Sequence, residues 1–143
     1  MKNLLLSLVL LFSVSAFAQE TEKEAIKSVI QSAYVDGIQN RGNIQDIENG
    51  FHPGFNLLGV DKNNHLTKFP IYTWKDFVKK SKESGKKKDH KTTAQYPMIE
   101  VVGNAAVAKV ELYREDKKIF TDFLSLYKFE EGWRIVSKIY HRH

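Results

Sequence analysis

The sequence contains 143 residues, carries a formal net charge of +5 and has no cysteine. A chain of this length can bury one hydrophobic core but is short for two domains of typical size. The lack of cysteine excludes a disulfide scaffold, a thiol nucleophile and a lipid-modified cysteine anchor, so stability must come from the core.

The N-terminal segment has the pattern of a secretory signal peptide. Lys2 precedes the apolar run Leu4–Phe12, and a small-x-small sequence ends at Ala18 before polar residues begin. The run is interrupted by Ser7 and is shorter than the roughly twenty apolar residues that span a bilayer. We therefore predict a signal peptide at residues 1–18 and a single domain at residues 19–143. The mature protein is expected to be periplasmic or secreted, with no membrane anchor after cleavage.

Much of the positive charge lies in the lysine-rich residues 79–91. This stretch is either a nucleic-acid-binding patch or the solvated end of a helix with its loop. No aromatic residue is interleaved to stack on bases, which favours the solvated surface. No nucleic-acid partner is expected.

Three helices are predicted in the first part of the domain. Thr21 and Glu24 have the spacing of a capping box, which predicts a helix start at Thr21. Apolar residues then recur at three- and four-residue steps through residues 25–38, which is typical of an amphipathic helix. A short second helix is expected after the cap Asn43, and a third is expected to begin near Thr73.

The rest of the domain is predicted to form strands joined by short turns. Helices followed by a long antiparallel meander predict an α+β fold, with the amphipathic helix across one face of a curved sheet. The predicted strands are a hairpin at residues 55–60 and 65–69 and a meander at residues 91–102, 105–114, 118–129 and 133–142.

Local patterns carry a resemblance to a known superfamily. The helix exit Tyr34–Ile38, the segment Phe51–Phe55, the strand Thr121–Leu126 and the following Gly132–Val136 resemble the nuclear-transport-factor-2-like (NTF2-like) superfamily. Within it they resemble the subgroup labelled "putative lumazine-binding", which is close to the SnoaL-like proteins. The resemblance implies a cone-shaped curved antiparallel sheet wrapped around N-terminal helices, also called cystatin-like. It implies no particular reaction, because the superfamily includes isomerases, dehydratases, hydrolases and cargo binders.

Strand alternation predicts which side chains enter the cone. On the last strand, Trp133, Ile135, Ile139 and His141 share the face expected to point inward, and Lys138 lies on the opposite face.

The preceding strand leaves two alternatives for Asp122. If Phe129 pairs with Trp133 across a three-residue turn, Phe123 and Tyr127 point inward and Asp122 outward. A one-residue bulge reverses this assignment. Isomerases of the resembled fold keep a cavity acid in the comparable strand, so the resemblance implies that Asp122 lies inside.

Three residues are candidates for general acid–base catalysis. A carboxylate inside an apolar cone has a raised pKa and can transfer protons near neutral pH, which makes Asp122 the first candidate. Tyr34, on the apolar stripe of the first helix, is a candidate hydrogen-bond donor, and His52 is a candidate base at the entry to the first strand. Each has a structural alternative: Asp122 as a local hydrogen-bond acceptor, Tyr34 as core packing and His52 as a residue that shapes its turn.

The predicted ligand pocket combines helix and strand side chains. Its members are Tyr34, Trp74, Phe123, Tyr127, Ile139 and His141. His141 and His143 are two residues apart but lack further ligands with metal-site spacing, so no metal site is predicted. No cofactor is predicted, because there is no glycine-rich phosphate loop or nucleophile elbow.

These observations leave a binding module and an enzyme as hypotheses. The leading one is a non-enzymatic cone that holds a small apolar or aromatic ligand, or that serves as a dimeric interaction domain. The alternative is an isomerase- or dehydratase-like enzyme that uses Asp122 with Tyr34 or His52. We also predict a homodimer through the sheet, because the face assigned to the outside is too apolar to remain solvated. That face carries Leu124, Leu126, Val136 and Tyr140.

Overall fold

The computed structural model describes residues 17–85 and 88–143. The first helix, α1, is α-helical through residues 17–29 and continues over Ile30–Gln39 with π-type hydrogen bonding. Two shorter helices follow, α2 at Ile44–Gly50 and α3 at Ile71–Glu83. Among the described residues, no helix is both long and apolar enough to cross a membrane.

The predicted capping box at Thr21 is wrong, because α1 already includes residues on its N-terminal side. Thr21 lies within the helix, and its Oγ1 donates to the carbonyl of Phe17 at 3.0 Å. The cap predicted for α2 does form, since Asn43 Oδ1 accepts from the backbone N–H of Gln45 at 3.1 Å.

The strands form one six-stranded sheet in the order β2-β1-β6-β5-β4-β3. Neighbouring strands are antiparallel except β1 and β6, which are parallel. This arrangement confirms the predicted α+β fold with a curved sheet. The strands are β1 Phe51–Val60, β2 Leu66–Pro70, β3 Thr92–Val102, β4 Ala105–Arg114, β5 Lys117–Phe129 and β6 Gly132–Arg142.

The core lies between the apolar stripe of α1 and the inner face of the sheet. Burying each large aliphatic side chain stabilises the fold by about 1.5–3 kcal/mol, so this cluster supplies most of the driving force. Its central members are Ile26, Ile30, Ala33, Tyr34 and Ile38 from α1, with Val110, Leu112, Leu124, Leu126 and Ile135 from the sheet.

The turn between β5 and β6 sets which β5 side chains point inward. Phe129 pairs with Gly132 and Lys128 with Trp133, so the turn contains two residues and the predicted three-residue turn is wrong. Gly132 makes the tighter turn possible because it adopts a φ of +115°, which side-chain-bearing residues rarely adopt. This register places Asp122 on the inner face.

A bulge in β6 then changes which side chains of its second half point inward. Leu126 pairs with Ile135 and Ser125 with Ser137, so Val136 has no partner of its own in the ladder. The extra residue reverses the alternation that follows it. Lys138 is consequently buried, and the assignment of this lysine to the outer face is wrong.

The bulge and the turn together also correct the predicted outer face. Leu124 and Leu126 are each 1 % exposed and belong to the core, so they cannot form a dimer interface. The large apolar side chains on the solvent side of these strands are instead Phe123, Tyr127 and Ile139, at 44 %, 49 % and 53 % exposure.

The turn geometry predicts the effect of one backbone substitution. Gly132→Ala should lower the free energy of unfolding by about 1–3 kcal/mol, because alanine is strained at this φ. A Cβ at this position would meet no atom within 4 Å, so the loss would come from the backbone alone. Chemical denaturation measures the change, and Glu131→Ala in the same turn is the control, expected within about 0.5 kcal/mol of the native chain. Equal stabilities of the two variants would contradict this account of the register.

Candidate functional site

Three ionisable side chains meet inside the core, and we call Tyr34, Asp122 and Lys138 the buried triad. The Tyr34 hydroxyl donates to Asp122 Oδ2 at 2.6 Å, and Lys138 Nζ donates to Asp122 Oδ1 at 2.8 Å. Lys138 Nζ also donates to the Tyr34 hydroxyl at 2.7 Å, which closes the triangle. Tyr34 and Asp122 are fully buried, and Lys138 is 4 % exposed.

Each member of the triad is positioned by a different element. Tyr34 lies in the π-type part of α1, where Asn40 N donates to Val35 O five residues earlier. Segments with this wider hydrogen bonding occur frequently at functional sites. Asp122 comes from β5 and Lys138 from β6, brought inward by the two-residue turn and by the bulge.

A fourth polar side chain completes the hydrogen bonding of the tyrosine. Gln39 Nε2 donates to the Tyr34 hydroxyl at 3.2 Å. The hydroxyl thus donates to Asp122 and accepts from Gln39 and Lys138, which uses its full capacity. Its orientation is therefore fixed by the protein.

Aromatic rings surround the ammonium group of Lys138. Such contacts stabilise a cation by about 0.5–2 kcal/mol each, with larger values when water is excluded. The distances from Nζ to the ring centroids are 4.8 Å for Tyr34, 5.0 Å for Tyr140, 5.6 Å for Trp74 and 5.8 Å for Phe120.

Burial shifts the proton affinities in the triad. Desolvation, reinforced by the Asp122 carboxylate, raises the pKa of Tyr34 well above its usual range, so the hydroxyl keeps its proton at neutral pH. Desolvation also lowers the pKa of Lys138, although Asp122 opposes that change. The site therefore holds a firm hydrogen-bond donor beside a lysine that gives up its proton more readily than an exposed one.

An open cleft lies next to the triad, and we call it the aromatic cleft. Trp74 and Tyr140 line it and also contact the Lys138 ammonium, so these two rings separate the cleft from the triad. A Cβ on Gly59 would lie 3.1 Å from Thr67 Oγ1, which is a tight contact, so the glycine keeps this wall of the cleft uncrowded. The aromatic cleft has a volume of about 350 Å³ and is lined by Leu57, Gly59, Thr67, Phe69, Trp74 and Tyr140.

The interior beneath the cleft is filled by aromatic side chains. Tyr34 packs edge-to-face on Phe51 and Trp74, with ring centroids 6.4 Å and 5.9 Å apart. Phe55 packs on Phe51 at 4.8 Å. These rings fill the space beneath the aromatic cleft, so a ligand in the cleft would lie at the surface beside the triad rather than among them.

The structure brings two of the three catalytic candidates together. Tyr34 and Asp122 are hydrogen-bonded, but His52 lies outside the triad. His52 Nδ1 accepts from the backbone N–H of Gly54 at 3.0 Å, and its ring stacks on Phe129 at 4.8 Å. These contacts match the structural alternative, in which His52 shapes its turn.

Four of the predicted pocket residues do not face the interior. Phe123, Tyr127 and Ile139 are exposed on the outer side of the sheet because of the turn and bulge registers. His141 is also exposed and packs against His143, with ring centroids 4.9 Å apart. Their assignment to the pocket is wrong, whereas Tyr34 belongs to the triad and Trp74 packs beside it.

Sequence reasoning missed Lys138, although a signal for it existed. Asp122 alternates with Leu124 and Leu126 on one uniformly apolar face, and a carboxylate buried there needs a countercharge. Lys138 lies on the neighbouring strand opposite Leu124. The buried carboxylate therefore indicated that a cation lies nearby, although not which strand register would bring it there.

Comparison with known proteins agrees with this architecture. The family described as "Putative lumazine-binding" matches residues 21–141. The chain is 31 % identical over 118 residues to "Aldolase FrzH" of Cladobotryum sp, covering 80 % of this chain and 88 % of that protein.

Solved structures of NTF2-like proteins are also similar. One, of unknown function from Shewanella baltica OS155, is 30 % identical with a TM-score of 0.66, covering 86 % of this chain and 94 % of that one. Another, from Silicibacter pomeroyi DSS-3, is 21 % identical with a TM-score of 0.64, covering 92 % of this chain and 98 % of that one. The resemblance seen in the sequence is thereby confirmed, and the chain belongs to the family described as "Putative lumazine-binding" within the NTF2-like superfamily.

Proposed function

We propose that the protein is an enzyme that transfers a proton at a carbon adjacent to a carbonyl group, with the buried triad as its catalytic machinery. The observation that carries the proposal is the closed hydrogen-bonded triangle of Tyr34, Asp122 and Lys138 inside an apolar core. We therefore favour an enzyme over the non-catalytic binding module, which was the leading hypothesis from the sequence.

The cost of burying the triad supports a functional role. A buried ion pair is often no more stabilising than apolar side chains of the same volume, because both charges lose their hydration. Perturbed pKa values concentrate at functional sites, and burial raises the pKa of Tyr34 and lowers that of Lys138. The relative named an aldolase also supports the proposal, since aldol chemistry begins or ends with a proton transfer beside a carbonyl.

The geometry gives each member of the triad a role. The substrate carbonyl oxygen replaces Asp122 as acceptor of the Tyr34 hydrogen bond and also accepts from Lys138. Asp122 then takes the proton from the adjacent carbon, and the electron pair of the broken C–H bond moves toward the carbonyl oxygen. The resulting enolate oxygen is stabilised by two donors already in place, as in an oxyanion hole.

The aromatic cleft defines the class of substrate. Its lining is mostly apolar, with the Thr67 hydroxyl and Tyr140 as polar groups at the wall. Its volume of about 350 Å³ suits a compact molecule with one carbonyl group and an apolar or aromatic body. Tyr140, at 42 % exposure, and the partly buried Trp74 must turn aside for the carbonyl to reach the triad.

The alternative function is non-catalytic binding of a small apolar ligand in the same cleft. The family description, which names a ligand, favours it. Beneath the cleft, Phe51 packs edge-to-face on both Tyr34 and Phe55, so such a ligand would lie in the open cleft rather than among these rings. A deuterium-exchange measurement must therefore distinguish binding without proton transfer from catalysis.

Deuterium exchange tests the catalytic proposal directly. With phenylacetone as probe in D₂O, the native protein should accelerate exchange of the protons beside the carbonyl. Asp122→Asn should lower this acceleration by about 10²–10⁴-fold, because the amide cannot accept the proton. Proton NMR measures the exchange, and His52→Gln is the control, expected to match the native rate. Binding of the ketone without faster exchange would contradict catalysis and leave the binding module.

Stability measurements separate the catalytic role from a structural one. Lys138→Met should lower the free energy of unfolding by about 3–5 kcal/mol, because it leaves the Asp122 carboxylate buried without a countercharge. The double variant Asp122→Leu with Lys138→Met should recover most of that loss and still show no exchange activity. Urea denaturation measures both stabilities. A double variant less stable than Lys138→Met alone would indicate that the triad serves chiefly to hold the fold together.

We also propose that the protein is exported and forms a homodimer. The signal-peptide pattern at residues 1–18 supports export, although residues 1–16 lie outside the described part of the chain. Phe123, Tyr127 and Ile139 give the outer face of the sheet an exposed apolar patch that supports dimerisation. A mature N-terminus at Gln19 in the exported fraction would support the first point.

Native mass spectrometry tests the dimer. The native protein should appear at twice the monomer mass, and Ile139→Glu should convert it to a monomer by placing a charge in the apolar patch. Leu66→Glu is the matched control, because Leu66 is an exposed apolar residue on β2, outside this patch, at 64 % exposure. A monomeric native protein, or dissociation by both variants alike, would contradict an interface at this face.

A further inference from the structure

A second cluster of charged side chains lies where α1 ends, β4 ends and β3 begins, and we call it the basic pocket. It has a volume of about 240 Å³. Arg114 and Thr92 are paired across the β3–β4 ladder at this end of the sheet. The pocket is lined by Arg41, Lys88, Asp89, His90 and Arg114.

Lys88 is held in place rather than solvated. Its Nζ donates to the carbonyl of Gln39, to Thr92 Oγ1 at 2.8 Å and to Asn40 Oδ1 at 3.3 Å. The sequence predicted a solvated surface throughout residues 79–91, and for Lys88 this is wrong. The lysine satisfies the carbonyl end of α1, where a positive charge is favourable.

Positive charge exceeds negative charge in the lining. The lining contains three cationic side chains, Arg41, Lys88 and Arg114, and one carboxylate, Asp89. The fifth lining residue, His90, has its Nδ1 2.8 Å from Glu115 Oε1. Burial, together with Arg114 and Arg41, lowers the pKa of Lys88 to about 8. These cations repel one another in the folded chain, and a bound anion would offset that unfavourable electrostatic energy.

One donor in the basic pocket lacks an acceptor. Arg114 Nε is buried, and no group in residues 17–85 or 88–143 accepts its hydrogen bond. A buried donor on a charged group is costly to leave without an acceptor, so this group indicates that a partner binds here. A planar guanidinium presents donors that match the oxygens of a carboxylate, phosphate or sulfate.

We propose that the basic pocket binds a small oxyanion, either free or as the anionic end of a larger ligand, with Arg114 as its principal donor. The pocket is smaller than typical clefts for whole organic ligands, which fits an ion or a single anionic group. Its position relates it to the triad through Gln39, whose carbonyl accepts from Lys88 and whose side chain donates to Tyr34. The anion site does not depend on the catalytic proposal, because neither Arg114 nor Lys88 belongs to the triad.

NMR of the arginine side chains tests the site on the full mature chain. Sulfate is the probe because its charge does not change between pH 6 and pH 9. The Arg114 Nε–H resonance should shift saturably as sulfate is added. Sodium chloride at matched ionic strength is the control for general screening. A shift that is linear and equal in the two salts would overturn the proposal.

Variants assign the binding to the basic pocket. Arg114→Gln should weaken sulfate binding by about 10–100-fold, because a charge-assisted hydrogen bond is lost. Arg114→Lys keeps the charge but loses the planar arrangement of donors. Its affinity for sulfate should lie between those of Arg114→Gln and the native chain. Arg142→Gln, which removes an exposed arginine outside the pocket lining, should bind like the native chain. Isothermal titration calorimetry measures these affinities, and native affinity in folded Arg114→Gln would overturn the proposal.

The pH dependence of binding provides an independent check. Sulfate binding should weaken as the pH rises from 7 to 9, because Lys88, with its pKa of about 8, loses its proton in this window. In Lys88→Gln this fall in sulfate affinity between pH 7 and pH 9 should be absent. An affinity independent of pH in the native chain would show that Lys88 does not act on the anion.

Discussion

The countercharge of Asp122 is the constraint on which the described structure depends. A carboxylate in an apolar core is tolerated only when it is paired and hydrogen-bonded, and here Lys138 and Tyr34 supply that pairing. Lys138 reaches the carboxylate only because the bulge at Val136 turns the second half of β6 inward. The same bulge brings Tyr140 over the ammonium group and sends Ile139 to the outside, so one inserted residue fixes the placement of Lys138, of the cleft wall at Tyr140 and of Ile139 on the outer face.

The sequence predicted the elements of the fold well because their signals are local. The meander strands begin and end within one residue of the predicted bounds, since turn residues and alternation mark them. The register between β5 and β6 could not be obtained in this way. Whether Phe129 pairs with Gly132 or Trp133 depends on a turn conformation, and the bulge at Val136 has no mark in its own segment. The same holds for the candidate site. Tyr34 and Asp122 were predicted from local pattern and family resemblance, whereas the position of Lys138 depends on the strand register.

The triad and the basic pocket share the C-terminal end of α1. Gln39 contributes its side chain to the Tyr34 hydroxyl and its carbonyl to Lys88, so one residue contacts both charged clusters. The π-type hydrogen bonding of Ile30–Gln39 spans the positions of both Tyr34 and Gln39. A ligand with a carbonyl group and an anionic group would be recognised by both clusters if its length matched their separation. Under the two proposals, the aromatic cleft and the basic pocket set two separate chemical requirements for a ligand.

If the catalytic proposal is correct, the triad stabilises negative charge on an oxygen atom delivered to it. The ultraviolet–visible spectrum of bound 4-nitrophenol measures this directly, because the phenolate and the phenol absorb at different wavelengths. We expect the native protein to bind the phenolate in preference to the phenol. The phenolate absorbance should then appear at pH values below the pKa of the free phenol, and it should be lost in Tyr34→Phe. Binding of the neutral phenol with no change in its pKa would show that the donors of the triad give no advantage to a developing oxyanion, and would rule out this role.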